Sequence, residues 1–299
     1  MKKYLLFLIA ITSTVVSGYS QEVKLNSSWS GKDLVIGAET SGYGDYSVSI
    51  KFTNLMGYRC SCDNEYPIVL RQRSQTNICK LVYESGSGGS PNYTYKYAQG
   101  RFDAKPDLDY PYLLPASEGK KLKTAPFSNI ETKLGKAVED SVLGVYFYCS
   151  GTDTICAVRS GMVISIKEAE KNAVTGNNGI PSYYNVASRC IIKVEHKDGS
   201  FAQYTFVTPV KNLLKEGDRV IAGQAIAVFD GNEENRGMGI SVGHLTFTKD
   251  KDFKYRFFLP KFYTEEGQME LKFGDTYTVS TPKEIIGKEL TKGEKKSLN

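Results

Sequence analysis

Lys193-Val194-Glu195-His196-Lys197-Asp198-Gly199-Ser200-Phe201-Ala202-Gln203-Tyr204-Thr205-Phe206 is the stretch that decides how this chain folds. Two runs of strand-forming residues flank Asp198-Gly199, and an Asp-Gly pair between such runs is a strong signal for a tight β-hairpin. A two-residue turn there pairs Lys197 with Ser200 and His196 with Phe201. Side chains alternate along a strand. His196 is therefore expected on the face of Phe201 and Gln203, opposite Phe206.

Working outward, the same β signals recur. Lys215-Glu216-Gly217-Asp218-Arg219-Val220, followed by Gly223-Gln224, marks another tight turn between strands. Towards the N-terminus, Tyr46 to Thr53 alternates apolar and polar residues, and so do Tyr93, Tyr95 and Tyr97. That is the pattern of half-buried strands. Turn-rich stretches such as Glu84 to Pro91 separate them. The expected class is all-β. Residues 21–100 read as an immunoglobulin-like β-sandwich. Residues 101–141, punctuated by Pro106, Pro111 and Pro115, read as a connector with one short helix over Ile130 to Glu139. A second β domain covers 142–280. The charged segment 281–299 reads as a frayed, solvated end. The tyrosine stripes are either ordinary sheet faces or surfaces on which sugars could stack.

The first twenty residues have a basic start, Lys2-Lys3, then an apolar run from Tyr4 to Val16, then small residues before Gln21. This describes a secretory signal peptide over 1–20, too short for a transmembrane helix of about 20 apolar residues. The expected location is exported, periplasmic or extracellular, with no transmembrane segment. A net charge of +5, without a basic cluster, gives no reason to expect nucleic acid. Export permits disulfides among the 6 cysteines. Cys149 and Cys156 flank the short Ser150 to Thr154 loop, so a cross-strand disulfide between them is expected. Cys60-Ser61-Cys62 is C-x-C, unlike the C-x-x-C of redox and zinc-ribbon sites. The chain has only 2 histidines, His196 and His244. A catalytic zinc usually takes three protein ligands and an open position, which this composition barely supplies.

Several segments, in order, resemble the lysostaphin-type (LytM-like) zinc endopeptidases. Gly144-Val145-Tyr146-Phe147 is similar to that family's G-I-D-F. Thr154 to Val163 resembles T-P-V-x-A-x-x-x-G-x-V, and Val194 to Gly199 with Gln203 to Phe206 resembles I-x-H-x-D-G followed by x-Y-A-H. Gly217 to Gln224 is similar to G-D-x-V-x-x-G-Q, and Val242-Gly243-His244-Leu245-Thr246-Phe247 to P-H-L-H-F. Outside that span, Tyr112 to Lys120 and Phe262 to Gly274 resemble flanking segments of exported bacterial members. The resemblance implies a β roll of the duplicated hybrid motif kind over the C-terminal domain.

It also implies what is missing. The family's zinc-binding Asp falls on Tyr146, and the His upstream of it falls near Val142. The His of a neighbouring strand falls on Phe206, and the second His of H-x-H on Thr246. Only His244 remains, at the catalytic rather than the metal-binding position. The resemblance thus implies a pseudopeptidase with zinc lost and a vestigial groove formed by Tyr146, Phe206, His244 and Thr246. The groove's expected occupant is peptidoglycan peptide or a partner cell-wall hydrolase. The alternative is an active metallo-endopeptidase that cleaves peptidoglycan cross-links through an unconventional zinc site. A third, purely structural role also stays open.

Overall fold

The computed structural model describes residues 22–60, 62, 65–85, 91–128, 142–150, 154–169, 189–206, 210–229 and 236–296. The signal-peptide segment and the helix expected over Ile130 to Glu139 lie outside the described residues. Among the described residues the fold is all-β, with short helical turns only near the C-terminus. Among the described residues no helix is long and apolar enough to cross a membrane.

Seven strands form the first unit: β1 (Val23–Ser30), β2 (Asp33–Thr40), β3 (Tyr46–Asn54), β4 (Tyr58–Cys60), β5 (Glu65–Leu70), β6 (Gln75–Tyr83) and β7 (Asn92–Gln99). They make two antiparallel sheets, in the orders β1-β2-β6-β4 and β5-β3-β7. The alternation read in Tyr46 to Thr53 has a direct outcome. Tyr46, Val48, Ile50 and Phe52 point inward and meet Leu34, Ile36 and Leu81 of the other sheet in one core. Two sheets over a shared core make a sandwich; its strand order differs from the immunoglobulin order expected, because the fifth strand lies with the third and the sixth with the second.

The second unit is built on a nine-stranded antiparallel sheet. Its strands are β9 (Lys121–Ser128), β10 (Val142–Tyr148), β12 (Gly161–Lys167), β13 (Cys190–Glu195), β14 (Phe201–Phe206), β16 (Arg219–Val220), β18 (Gly237–Phe247), β19 (Phe253–Phe258) and β22 (Thr276–Thr278). The order is β16-β12-β13-β14-β18-β10-β9-β22, with β19 added along the far half of β18. One face carries Val145, Phe147, Ile192, Val194, Tyr204, Phe206, Met238 and Ile240, all buried. Two three-stranded sheets complete the unit, β11 (Thr154–Cys156), β17 (Ala225–Phe229) and β15 (Val210–Asn212), and β8 (Pro111–Leu113), β20 (Lys261–Thr264) and β21 (Gly267–Met269). Ile155, Ile226 and Phe229 of the first, and Tyr112 and Phe262 of the second, join the same core.

Four sequence expectations are corrected here. Residues 101–141 do not simply connect: β8 lies in a sheet, β9 pairs with both β10 and β22, and Tyr112 and Leu114 are core residues. The prolines punctuate the segment without excluding it from the sheet; Pro111 opens β8, a position where a missing N–H is tolerated. Nor is the C-terminus a frayed end throughout. It forms α1 (Lys283–Ile286), a 3-10 turn (Gly287–Glu289) and α2 (Lys292–Lys296). Glu289 in that turn ion-pairs with the buried Arg159, its oxygen 2.6 Å from Nη2. A sequence reading sees only a charged segment, because the partner lies 130 residues away.

The third correction is the hairpin register. His196 N–H donates to the Ser200 carbonyl at 2.8 Å, and Glu195 pairs with Phe201. The loop is Lys197-Asp198-Gly199, three residues, with Gly199 at φ +81°, the left-handed closing position of such loops. Asp198 sets this length. Its Oδ1 accepts the Ser200 N–H at 3.0 Å and the Ser200 hydroxyl at 2.6 Å. A one-residue change of register exchanges the faces. His196 therefore lies on the core side with Phe206, where its ring meets Tyr112 edge-on at 5.8 Å. The fourth correction concerns sulfur. Cys149 and Cys156 are both buried free thiols, and the bonded pair is Cys60–Cys62.

Candidate functional site

The register of β10, β18 and β14 fixes which residues can share a site. Tyr146 stands beside Gly239, and Gly239 beside Thr205. In the next row Ser241 stands beside Gln203. These residues occupy the face opposite the main core. Along β18 the sequence Gly237-Met238-Gly239-Ile240-Ser241-Val242 alternates small and large, so one face is apolar and packed while the other is nearly flat. Aromatic rings fill the flat face. A Cβ on Gly237 would collide with the Tyr146 hydroxyl, and one on Gly239 would lie 2.6 Å from Phe127 ring carbons. Tyr146 also meets Tyr148 edge-on at 5.1 Å.

The four residues expected to line one groove do not converge. Phe206 is fully buried on the core face, packed edge-on against Phe229 at 6.2 Å. It pairs with Met238, six residues before His244 on β18. At about 3.4 Å per residue that places His244 roughly 20 Å farther along. His244 and Thr246 share the face of Phe206, not that of Tyr146. His244 pairs with Arg256, and Thr246 donates its hydroxyl to the Lys254 carbonyl at 3.0 Å. Burial, with the Arg256 charge, lowers the His244 pKa, and Asp198 opposes the shift. Among the described residues its buried Nδ1 has no hydrogen-bond partner. If Tyr146 holds the Asp place, the β18 positions that face it are Gly239 and Ser241, not His244 and Thr246. The signal was legible in the small–large alternation of residues 237–242, which the His-Leu-Thr-Phe match overshadowed.

The row offers hydroxyl and amide groups. Thr205 and Ser241 are buried, Ser241 Oγ has no hydrogen-bond partner among the described residues, and Gln203 donates to Thr205 at 3.3 Å. Among the described residues no three His, Cys, Asp or Glu side chains are grouped to hold a metal. The second histidine does not supply one. His196 Nδ1 is 2.9 Å from the Ser160 carbonyl, which makes it the donor. Burial, then the Arg159 charge, lowers the pKa of this imidazole and keeps it neutral.

Beyond Gln203 the same face passes under the N-terminal sandwich. Lys193 Nζ lies 4.1 Å from the Phe201 ring centre and 4.4 Å from that of Tyr255. Glu195 accepts the Asp45 N–H at 3.3 Å, and Tyr255 donates to the Gln99 carbonyl at 2.8 Å. Burial, then repulsion from Asp45, pushes Glu195 up to about 7. Burial pulls Lys193 down to about 8, against the attraction of Glu195. The folded pKa of Glu195 exceeds its unfolded value. Its contribution is thus fully present below about 4.5 and is lost as pH rises through about 7. Lys193 has the opposite sign, with stability present above 10.5 and lost as pH falls through about 8. Denaturation measured from pH 4.5 to 7 should show a falling component that Glu195→Gln removes. An unchanged slope in the variant would mean that Glu195 is not the titrating group.

No family model matches this chain, and no curated protein matches it. Among solved structures it is similar to Csd3 of Helicobacter pylori, with 14% sequence identity and a TM-score of 0.30, over 93% of this chain and 77% of that one. A likeness this weak assigns neither a site nor an activity.

Proposed function

We propose that this chain is an exported, non-catalytic protein that binds peptidoglycan peptide through a peptidase-like sheet face. The observation that supports this reading is the face on which Tyr146 stands beside Gly239, with Ser241 in the next row. The LytM-like resemblance puts the family's zinc-binding Asp on Tyr146. In place of a carboxylate that face holds the Tyr146 phenol, whose ring covers Gly237, while the Phe127 ring covers Gly239. An emptied zinc site would leave carboxylates and imidazoles buried without partners, at a cost of a few kcal/mol each; rings in their place avoid that, although the Ser241 hydroxyl stays buried and unpaired among the described residues. What such a face retains is a shallow amphipathic strip, with Tyr146 and Gln203 partly exposed. Rings with a few convergent polar groups suit an extended peptide.

Retention on insoluble peptidoglycan tests the proposal. The parent chain is expected to be retained, and a Tyr146→Ala, Gln203→Ala variant of native stability should be retained at least tenfold more weakly. Metal analysis should find far less than one zinc per chain. Near-stoichiometric zinc together with chelator-sensitive cleavage of wall peptides would overturn the non-catalytic reading. Loss of binding to a recovered hydrolase, with wall retention intact, would move the site's role to that partner.

A further inference from the structure

A second surface, at the β9–β22 edge of the nine-stranded sheet, has the makings of a ligand site. Lys121 and Lys123 lie two apart on β9 and so project on one side; Tyr148 on β10 pairs with Lys123, and Thr276 on β22 pairs with it from the other edge. With Phe273 they line a cleft of about 620 Å³. Tyr148 is 45% exposed and Phe273 41% exposed. Two large rings open to solvent in one cleft are more than the scattered apolar side chains of any surface.

The turn that carries Phe273 is held in place. Thr124, 1% exposed, donates its hydroxyl to the Lys272 carbonyl at 2.8 Å and its N–H to the Asp275 carbonyl at 2.9 Å. Gly274 N–H returns a bond to the Thr124 carbonyl at 2.9 Å, and Lys272 N–H donates to the Tyr277 hydroxyl at 2.8 Å. Four hydrogen bonds thus fix a turn whose ring faces water. Little ordering cost remains when a ligand arrives.

The lining selects the ligand. Among the described residues, its charged members are both lysines and no acidic side chain lines the cleft. Rings supply faces for the C–H side of a sugar, and the two ammonium groups suit carboxylates. We propose that this cleft binds an acidic oligosaccharide, a saccharide chain bearing ring-attached carboxylates. The proposal does not depend on the Tyr146 row binding peptide.

Calorimetric titration of the full chain tests it, with tetragalacturonate as the acidic probe. The neutral tetramer of N-acetylglucosamine and tetraglutamate serve as comparisons. Binding of tetragalacturonate is expected in the submillimolar range, at least tenfold tighter than either comparison and weakening as salt rises. Phe273→Ala, and separately the Lys121→Gln, Lys123→Gln pair, should each weaken it about tenfold while leaving the melting temperature and peptidoglycan-peptide retention unchanged. Equal affinity for tetraglutamate would mean a peptide site and overturn the saccharide assignment. Binding that is absent at millimolar probe, or indifferent to these substitutions, would overturn the site itself.

Discussion

Arg159→Ala is expected to cost about 3–5 kcal/mol of stability, the range for removing one partner from a buried ion pair. Arg159 is 2% exposed. Its Nη1 donates to Asp198 at 2.9 Å and to the Tyr112 hydroxyl at 3.1 Å; its Nη2 donates to Glu289 at 2.6 Å. The guanidinium also lies 3.7 Å from the Tyr110 ring centre. One side chain therefore joins the segment before β9, the β13–β14 hairpin and the C-terminal turn. Without it, two carboxylates are left largely buried with no cation. Lysine cannot rescue the site, because it lacks the planar fork that serves two carboxylates at once. Arg159→Lys should recover less than half of the loss. The pH dependence gives a second readout. Burial would raise Asp198, but the Ser200 hydroxyl and the Arg159 charge outweigh it and hold the acid at about 2. Its folded pKa is depressed, so this stability is present above about 3.8 and is lost as pH falls towards 2. Arg159→Ala should shift that acid limb to higher pH. Chemical denaturation of both variants, with a titration of the alanine form between pH 2 and 5, checks each part. A loss under 1 kcal/mol would mean that solvent reaches the carboxylates.

What the sequence made legible follows from the range of the interactions. The β class was readable because alternation is local: Tyr46-Val48-Ile50 and Val194-Ile192 are inward residues two apart, whatever surrounds them. The position of the hairpin was readable from Asp198-Gly199, but its length was not. That depended on Asp198 holding Ser200, one further residue, and the error moved His196 to the wrong face. The site suffered from a different cause. His244-Leu245-Thr246-Phe247 looked like a ligand motif, but a motif match carries no register. Only the pairing of Tyr146 with Gly239 showed which β18 residues could meet the Asp place. Glu289 and Lys121 were unreadable for a third reason. Arg159, which pairs with Glu289, and Phe273, which lines one cleft with Lys121, are more than a hundred residues distant from them, and nothing local announces such a neighbour.

Gly144→Ala is expected to be among the most damaging small substitutions in the chain. Gly144 lies on β10 in the stretch Gly-Val-Tyr-Phe, where the pairing of β9 with β10 shifts register. A Cβ there would collide with the Ile240 carbonyl oxygen and would lie 2.9 Å from its carbon and 3.0 Å from the Ser241 Cα. All three atoms are backbone, so no rotamer change relieves the contact. β18 must move, and it is held on one edge by β10 and on the other by β14. Overpacking of this kind costs roughly 1–3 kcal/mol, and the upper end applies where backbone must shift. The same displacement would separate Tyr146 from Gly239 and lift the aromatic filling from β18, so peptidoglycan retention should fall with stability. Gly293→Ala provides the contrast. Gly293 lies in α2 with nothing within 4 Å of an added Cβ, and alanine favours a helix by up to about 1 kcal/mol over glycine. One substitution type should thus lower the denaturation midpoint at position 144 and leave it level or raised at 293. Equal midpoints for the two variants would mean that β10 and β18 are less tightly apposed than the Gly144–Ile240 approach requires.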